Sequence, residues 1–471
     1  MVDIIIIGSG IIGSVLAYDL SHFNVSVCVL EKNVEIMNEV SSANSGLIHT
    51  GYDPEEGTLK AKLNLLGAQR YPDIARKLNV DYEQVGSLLV SNNKDDHEIL
   101  MNLAYRAKSR NIPYQYLNQE EVRMKEPNIS DSVVEALFFS TTAIITPWQM
   151  GYACMNYAVC NGVELYRETE VTGIEKTDHY RVLTNKGVFE SKIVINCSGL
   201  NGVRIAKYHN PESSHQIEFR KGEYQVSDVR DASYLNHVIY PLPTKIGKGV
   251  LALKTIEGNL MFGPTSTVIE NGYDFSTTAQ GLIEVDTKIS QIIKPLAKNR
   301  LIRQFAGVRP TSLSKDFIIE DLDQFINVIG IDSPGLASSP GISNYVIHEF
   351  IQKYINLQEK EDLVDFKWKK HLSFEERNEL IKKDSKYGRI VCVCETISEK
   401  EIMNAIHLPV GARSIKGVKR LTRPGSGRCQ GGFCESEVVR ILARELNLDM
   451  QDIPYDNDVF LSSLGGHDEK L

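Results

Sequence analysis

The chain has 471 residues, of which 42% are hydrophobic and 24% are charged, an ordinary balance for a globular protein of about three domains. Its formal net charge of -9 argues against broad nucleic-acid binding, which requires a clustered basic surface to displace counterions. The sequence shows no secretory signal and no run of 18 apolar residues, so we expect a cytoplasmic protein without a transmembrane segment. Peripheral docking on a membrane stays open.

The first predicted element is an apolar strand over residues 3–7, which leads directly into Gly8, Gly10 and Gly13. This is the Gly-x-Gly-x-x-Gly spacing of a dinucleotide-binding turn. The first glycine makes the tight turn, the second lets backbone amides approach a pyrophosphate, and the third lets helix and strand pack closely. A helix over residues 14–20 would then direct its N-terminal N–H groups at the phosphates.

A second apolar strand, over residues 25–30, ends at Glu31, which follows Gly13 by 18 residues. A carboxylate at this position can accept hydrogen bonds from the ribose hydroxyls of an adenosine, and it disfavours a 2′-phosphate. Strand, glycine turn, helix, second strand and terminal acid together predict a nucleotide cofactor. They do not separate FAD from NAD.

Three later segments favour FAD. The polar stretch 41–46 is suited to wrap an extended cofactor, and residues 196–199 form a second polar turn after an apolar strand. A strand over Phe325–Ile329 leads into the small-residue run 333–341, which we expect to be a turn that opens a helix from Ile342 onward. Such a turn can aim backbone N–H groups at a flavin ring. A plain strand–helix turn is the alternative.

Residues 42–54, which read Ser-Ala-Asn-Ser-Gly-Leu-Ile-His-Thr-Gly-Tyr-Asp-Pro, resemble the D-amino-acid-oxidase-type flavoprotein superfamily. Within it the resemblance is strongest to the short bacterial glycerol-3-phosphate oxidases and dehydrogenases, and next to L-2-hydroxyglutarate dehydrogenases. Further motifs extend it in order across residues 1–350: Lys-Ala-Lys at 60–62, Arg-Lys-Gly-Glu-Tyr at 220–224, Gly-Lys-Gly-Val at 247–250, Gly-Pro-Thr at 263–265, Gly-Val-Arg-Pro at 307–310 and Asp-Ser-Pro-Gly-Leu at 332–336.

This resemblance implies an α/β fold in which a Rossmann-like FAD-binding domain of the glutathione-reductase type is interleaved with a mixed-sheet substrate domain. We place the FAD-binding domain at 1–80, 145–215 and 306–355, and the substrate domain at 81–144 and 216–305. The glycine turn and the resemblance together predict these FAD-binding positions: Gly8, Gly10, Ile12, Gly13, Glu31, Lys32, Ser42, Asn44, Ser45, Gly46, Val171, Ser198, Gly199, Gly335 and Leu336.

Four residues are candidates for the reacting centre. Oxidation of an alcohol by hydride transfer leaves a hydroxyl proton to be removed, and histidine is an efficient base near neutral pH. His49 lies beside the loop expected near the flavin and matches the base proposed in the related enzymes. A structural histidine and a covalent flavin tether are the alternatives for it.

Fixed positive charge would hold an anionic substrate. Arg309 is suited to clamp a phosphate or carboxylate, Lys248 stands between two glycines, and Ser333 could donate a hydrogen bond. All three match positions implicated in the glycerol-3-phosphate-oxidising relatives. The alternatives are a surface salt bridge for Arg309 and a solvated hairpin tip for Lys248.

The residues therefore predict a small anionic substrate, which the resemblance alone narrows to glycerol 3-phosphate, with L-2-hydroxyglutarate as the rival. A flavin and iron–sulfur redox carrier or sensor without substrate turnover is the alternative of another class.

A charged connector over residues 356–388 precedes the last module. This module, at 389–452, carries Cys392, Cys394, Cys429 and Cys434, and a tail follows at 453–471. Four thiolates in two close pairs can ligate a [2Fe-2S] cluster or a zinc ion. The spacing resembles the bacterioferritin-associated ferredoxins, which favours the cluster in a small helical domain. Such a centre could pass electrons from the flavin to a protein or quinone acceptor.

Overall fold

The computed structural model describes residues 1–243, 249–297, 300–369 and 371–457 and the backbone of 459–460. Its α-helices are α1 (Ile11–Leu20), α2 (Leu59–Leu78), α3 (His97–Ser109), α4 (Gln119–Lys125), α5 (Pro147–Cys160), α6 (Gly202–His209), α7 (Ala279–Ile289), α8 (Gly335–Glu349), α9 (Phe374–Ile381), α10 (Glu399–Ile406), α11 (Ile415–Thr422) and α12 (Glu435–Leu446).

Its strands are β1 (Val2–Ile7), β2 (Val27–Leu30), β3 (Leu47–Ile48), β4 (Tyr82–Gln84), β5 (Ser87–Ser91), β6 (Gln115–Asn118), β7 (Glu135–Phe139), β8 (Ala143–Ile145), β9 (Glu164–Tyr166), β10 (Val171–Lys176), β11 (Tyr180–Thr184), β12 (Gly187–Asn196), β13 (Ile217–Ser227), β14 (Val238–Pro241), β15 (Leu251–Lys254), β16 (Leu260–Gly263), β17 (Thr267–Ile269), β18 (Leu301–Ser312), β19 (Ile318–Leu322), β20 (Phe325–Ile329), β21 (Ile390–Cys392), β22 (Ile397–Ser398), β23 (Pro454–Asp456) and β24 (Val459–Phe460).

The first sheet has a parallel centre in the order β20, β12, β1, β2, β9. Its central strands are apolar and buried along most of their length, as expected for parallel strands that helices cover on both faces. Helix α1 is buried over its whole length and packs against α5 and α8. The antiparallel strands β10 and β11 extend the sheet beyond β12, and β19 pairs with β20. This architecture confirms the predicted Rossmann-like α/β fold.

The second sheet is mixed and has nine strands, in the order β17, β13, β16, β15, β14, β5, β7, β6, with β18 on the other side of β13. Most neighbours are antiparallel, whereas β14 and β5 run parallel. Strand β18 continues through the boundary placed at residue 306 and stays paired with β13 as far as Ser312. The other domain boundaries stay a prediction.

Two helices begin earlier than the sequence patterns predict. Helix α1 begins at Ile11 rather than at residue 14. The small-residue run 333–341 is not a turn before a helix that starts at Ile342, because α8 already begins at Gly335 and contains most of the run. The small side chains serve helix packing there. They do not break the helix.

Close contact between α8 and α2 explains the small residues. A Cβ atom on Gly341 would lie 2.2 Å from the carbonyl oxygen of Leu63, closer than any side chain tolerates. Pro340 lies inside α8 and has no N–H for the carbonyl of Leu336. The Tyr71 hydroxyl on α2 donates to that carbonyl at 2.7 Å, so the proline leaves no buried acceptor unsatisfied.

The C-terminal unit consists of α10, α11 and α12 with the short strands β21 and β22. The segment predicted as a connector, 356–388, is bound to the units on both sides of it. The Trp368 N–H donates to the Leu78 carbonyl at 2.7 Å, and Arg377 donates to the Thr396 carbonyl at 2.6 Å. Among the described residues, no helix is both long enough and apolar enough to span a bilayer.

A buried carboxylate joins the C-terminal unit to the first sheet. Glu35, which follows β2, has no exposed surface and accepts hydrogen bonds from the N–H groups of Arg413 and Ser414 at 2.7 and 2.8 Å. The Tyr152 hydroxyl on α5 donates to its other oxygen at 2.7 Å. A buried acceptor needs such donors, because desolvation without them is costly. The C-terminal unit is therefore docked in a fixed position.

We expect Gly341→Ala to lower the free energy of unfolding by about 1–3 kcal/mol, since the added methyl group has to displace the α2 backbone. Gly388→Ala is the matched control. Gly388 is exposed and has αR backbone angles, and an added Cβ would lie 3.3 Å from the Ser385 carbonyl oxygen, a contact that a small shift relieves, so this change should be close to neutral. Urea unfolding followed by circular dichroism measures both, and equal midpoints would contradict the packing argument.

Candidate active site and iron–sulfur centre

One cavity of about 1210 Å³ opens between the two sheets. Its floor is formed by residues that follow the carboxyl ends of β1, β2, β12 and β20, and its other wall comes from β13 and β18 of the second sheet. Ligands of open α/β sheets bind at such strand ends. A cavity of this volume can hold a dinucleotide and a smaller molecule together.

The glycines of the first turn are required by space as well as by conformation. Gly8 has a φ of +100°, and a Cβ atom there would lie 2.6 Å from the carbonyl oxygen of Cys197, after β12. A Cβ on Gly13 would lie 2.0 Å from the Gly8 carbonyl oxygen. Gly10 lines the cavity and is the N-cap of α1, so it offers backbone without a side chain where a pyrophosphate would approach. These residues fit FAD.

Glu31 lines the cavity after β2, and its carboxylate is held by the protein. The N–H and hydroxyl of Ser9 donate to one oxygen at 2.9 and 2.7 Å, and the Asn33 N–H donates to the other at 2.9 Å. Burial raises the pKa of Glu31, whereas these hydrogen bonds favour its charged form. The bonds fix the direction of the carboxylate and leave lone pairs for ribose hydroxyls. Lys32, beside it, pairs with Glu39 at 2.6 Å.

Most predicted FAD positions lie in the wall of this one cavity. These are Gly8, Gly10, Ile12, Glu31, Lys32, Asn44, Ser45, Val171, Ser198, Gly199, Gly335 and Leu336.

Three predicted positions do not line the cavity. Gly13 packs against the Gly8 carbonyl, and the Ser42 hydroxyl caps a short turn by donating to the Glu39 carbonyl at 3.0 Å. Gly46 has a φ of +65° and lies against Ile145, so its role is conformational. The prediction missed Ser41, whose hydroxyl accepts from the Ile11 N–H at 3.0 Å at the start of α1.

His49 lies in the wall of the same cavity, directly after β3. Its ring is half-buried, and Nδ1 lies 3.2 Å from the hydroxyl of Tyr240 on β14. Asn64 on α2 donates to the His49 carbonyl at 2.9 Å and fixes the backbone there. Burial raises the pKa of Tyr240, so its hydroxyl stays protonated and neutral. No local pattern indicated Tyr240, because its contact with His49 joins positions 191 residues apart.

Two arginines lie opposite each other on the second sheet and line the cavity. Arg220 on β13 pairs in register with Arg309 on β18, and paired residues of antiparallel strands point to the same face. Arg309 donates to the Thr265 carbonyl at 3.1 Å, and Arg220 is bound to Glu218 at 2.7 Å. Like charges directly opposite each other on a sheet repel, and an anion bound between them would offset this repulsion. Arg220 stood in a recognised motif but was not among the predicted site residues.

Ser333 also lines the cavity, just before α8. The neighbouring Asp332 forms an ion pair with Lys60 on α2 at 2.6 Å, and this pair ties the loop before α8 to α2. His49, Arg309 and Ser333 thus line the same cavity. Lys248, the fourth candidate, lies outside the described residues.

The four C-terminal cysteines come together as two pairs. The sulfurs of Cys394 and Cys429 are 3.7 Å apart, and the Cys434 thiol donates to Cys392. Cys392 and Cys434 are buried, whereas Cys394 is exposed. Cys434 is the N-cap of α12, where the helix dipole stabilises a thiolate.

Pairing of this kind fits two irons better than one metal ion. A tetrahedral metal with bonds of about 2.3 Å holds two sulfurs about 3.8 Å apart, close to the 3.7 Å found for Cys394 and Cys429. In the described part of the chain, no three His, Cys, Asp or Glu side chains converge so as to hold a single ion. The thiol pairs therefore favour a [2Fe-2S] cluster over zinc.

Known proteins match both units. Residues 3–348 match the FAD dependent oxidoreductase family, and residues 390–444 match the BFD-like [2Fe-2S] binding domain. A glycerol 3-phosphate dehydrogenase from Caloramator mitchellensis is 40% identical over 469 residues, covering 97% of each chain. An L-2-hydroxyglutarate dehydrogenase from Escherichia coli (strain K12) is 29% identical over 287 residues, covering 59% of this chain and 68% of that protein.

A solved structure supports the fold of the part of the chain that precedes the C-terminal unit. The dithionite-reduced L-alpha-glycerophosphate oxidase from Mycoplasma pneumoniae with FAD bound superposes with a TM-score of 0.74 at 28% identity, and covers 79% of this chain and 99% of that chain. The matches agree with the glycine turn, the sheet order and the cysteine pairs. The chain belongs to the FAD dependent oxidoreductase family and carries a [2Fe-2S] binding domain at its C-terminal end.

Proposed function

We propose that this enzyme oxidises sn-glycerol 3-phosphate to dihydroxyacetone phosphate. The observation that carries the proposal is the pair of opposed arginines, Arg220 and Arg309, in the same cavity as His49 and the FAD-binding turn. A phosphate dianion matches two guanidinium groups better than any neutral polyol does. The names of the glycerol 3-phosphate-oxidising relatives support this substrate.

His49 is proposed as the base that takes the proton of the C2 hydroxyl. Bound FAD supplies the acceptor for the hydride that leaves the same carbon. The Nδ1–H of His49 would donate to the Tyr240 hydroxyl oxygen, which leaves the Nε2 lone pair to accept the proton. Tyr240 acts here as a positioning residue, since it holds the tautomer and the orientation of the ring.

Arg309 and Arg220 are proposed to hold the phosphate, and Ser333 and Lys248 to add polar contacts to the substrate. Arg309 is fixed by its bond to Thr265, so its orientation does not have to be established when substrate binds. Arg220 would exchange part of its ion pair with Glu218 for the phosphate. Substrate binding would thereby remove the repulsion between the two guanidinium groups.

The [2Fe-2S] cluster is proposed to carry electrons onward, one at a time, to a quinone or a protein. The contacts of the C-terminal unit support this relay. Arg423 directly follows α11. It is bound at 3.3 Å to Glu257, in the turn between β15 and β16 of the second sheet, and at 2.7 Å to Glu395. Arg428, next to Cys429, is bound to Asp228 at 2.8 Å. The loop that carries Cys429 is therefore held against the unit of the second sheet, which forms one wall of the cavity.

Anaerobic addition of sn-glycerol 3-phosphate should bleach the flavin absorption of the purified holoenzyme and then diminish the cluster absorption. In Cys392→Ser the flavin should bleach as before, while turnover with added ubiquinone or cytochrome c falls. If turnover stays unchanged in that variant, the relay is wrong. If L-2-hydroxyglutarate bleaches the flavin instead, the substrate is wrong, and if neither compound bleaches it, the chain is a redox carrier or sensor.

His49→Gln should lower the rate of flavin reduction about 10²–10⁴-fold in stopped-flow experiments, the usual contribution of a general base. Tyr240→Phe should lower it about tenfold with little effect on substrate affinity, because it removes only the partner of Nδ1. His348→Gln is the control, since His348 is exposed on α8. A wild-type rate in His49→Gln would refute the assignment of the base.

Arg220→Met should raise the KM for sn-glycerol 3-phosphate about 10- to 100-fold, since a hydrogen bond to a charged group contributes about 1.5–3 kcal/mol. Steady-state kinetics at fixed ionic strength measure the effect. Arg181→Met, which removes an exposed arginine paired with Glu175, should leave the KM unchanged. Equal KM values for the two variants would exclude Arg220 from substrate binding.

A further inference from the structure

Backbone amides of the C-terminal unit are directed at the cysteine sulfurs. The Gly425 N–H donates to both Cys392 and Cys434. The N–H groups of Gly431 and Phe433 donate to Cys429. Hydrogen bonds of this kind stabilise thiolate charge, and they are among the factors that set the reduction potential of an iron–sulfur cluster. The loop between α11 and α12 therefore forms the electrostatic environment of both sulfur pairs.

Each sulfur pair has a cationic side chain nearby, which binds a loop residue that contacts or adjoins one of the cysteines. Lys419 on α11 donates from Nζ to the carbonyl of Gly425 at 2.6 Å, and Gly425 is the residue whose N–H reaches the buried pair. Arg303 on β18 donates to the side-chain oxygen of Gln430 at 3.2 Å, directly beside Cys429. Both cations thus act on the cluster through the loop that holds it.

These cations belong to a group with more positive than negative charge. Arg303, Lys416, Lys419 and Arg420 lie together and are half-buried. Within the described residues, Glu435 and Asp456 are the carboxylates that offset part of this charge.

Burial and the neighbouring Arg303 lower the pKa of Lys416 to about 8 and that of Lys419 to about 7. Such crowding is unfavourable on its own, and a negatively charged group nearby offsets it. Arg423 differs from this group, because two carboxylates, Glu257 and Glu395, neutralise it.

We propose that Lys419, assisted by Arg303, raises the reduction potential of the [2Fe-2S] cluster. A cluster with four thiolate ligands is anionic, and the electron it accepts adds one more negative charge without breaking a bond. Fixed positive charge and N–H···S bonds favour that more negative state. The purpose of the effect rests on the proposed relay, since a higher potential makes the cluster a better acceptor for electrons that leave the flavin.

The test is a redox titration of the full-length holoenzyme, in which the EPR signal of the reduced cluster is followed against a set of mediator dyes. Lys419→Met should lower the equilibrium constant for cluster reduction about tenfold, which is about 59 mV for one electron. Lys419→Arg, which keeps the charge, should stay near the wild-type potential. Lys400→Met is the matched control, because Lys400 lies on α10 of the same unit and pairs with Asp384.

An unchanged potential in Lys419→Met with full cluster content would overturn the proposal. If Lys419→Met does not assemble the cluster, Lys416→Met decides, since it removes a neighbouring charge and should lower the potential by a smaller amount. No shift there would also overturn it. Flavin bleaching by sn-glycerol 3-phosphate does not depend on either lysine, so failure of the proposed substrate is recognised separately.

Discussion

The turn between β1 and α1 leaves no room for side chains, and the geometry of the cavity depends on this close approach. Gly8 packs against the backbone that follows β12, and Gly13 packs against Gly8 itself. The strand, the helix and the neighbouring strand therefore meet at one point, and the N-terminus of α1 faces the open end of the sheet. Gly8 and Gly10 would hold the pyrophosphate of FAD in this turn, and His49 and the arginines of the second sheet line the same cavity.

Local sequence predicted those parts of the molecule whose chemistry depends on spacing along the chain. The glycine turn and the strand over Phe325–Ile329 are of this kind, and the structure contains them. The four cysteines also come together, but their sulfurs pair across the two motifs, Cys394 with Cys429 and Cys392 with Cys434, rather than between neighbours in sequence. The predicted start of α8 was wrong because small residues favour a turn locally, whereas the contact with α2 requires them inside a helix. That contact joins segments about 270 residues apart, so no local pattern indicates it.

The same limit explains the site residues that the sequence did not reveal. Arg220 is opposite Arg309 only because β13 and β18 pair, and Tyr240 reaches His49 only because the second sheet covers the first. In each case the residue type was visible in the sequence, whereas the partner was set by the tertiary fold. The spacing of residues along the chain indicates which kind of chemistry is present, whereas tertiary packing determines which side chains lie together in the site.

Glu35 gives the molecule a further property. Its carboxylate belongs to the flavin-binding unit, while the backbone groups of Arg413 and Ser414 that satisfy it belong to the iron–sulfur unit. If the two units separated, a buried acid would lose these donors and an apolar surface around it would meet water. The folding equilibria of the two units are therefore thermodynamically coupled.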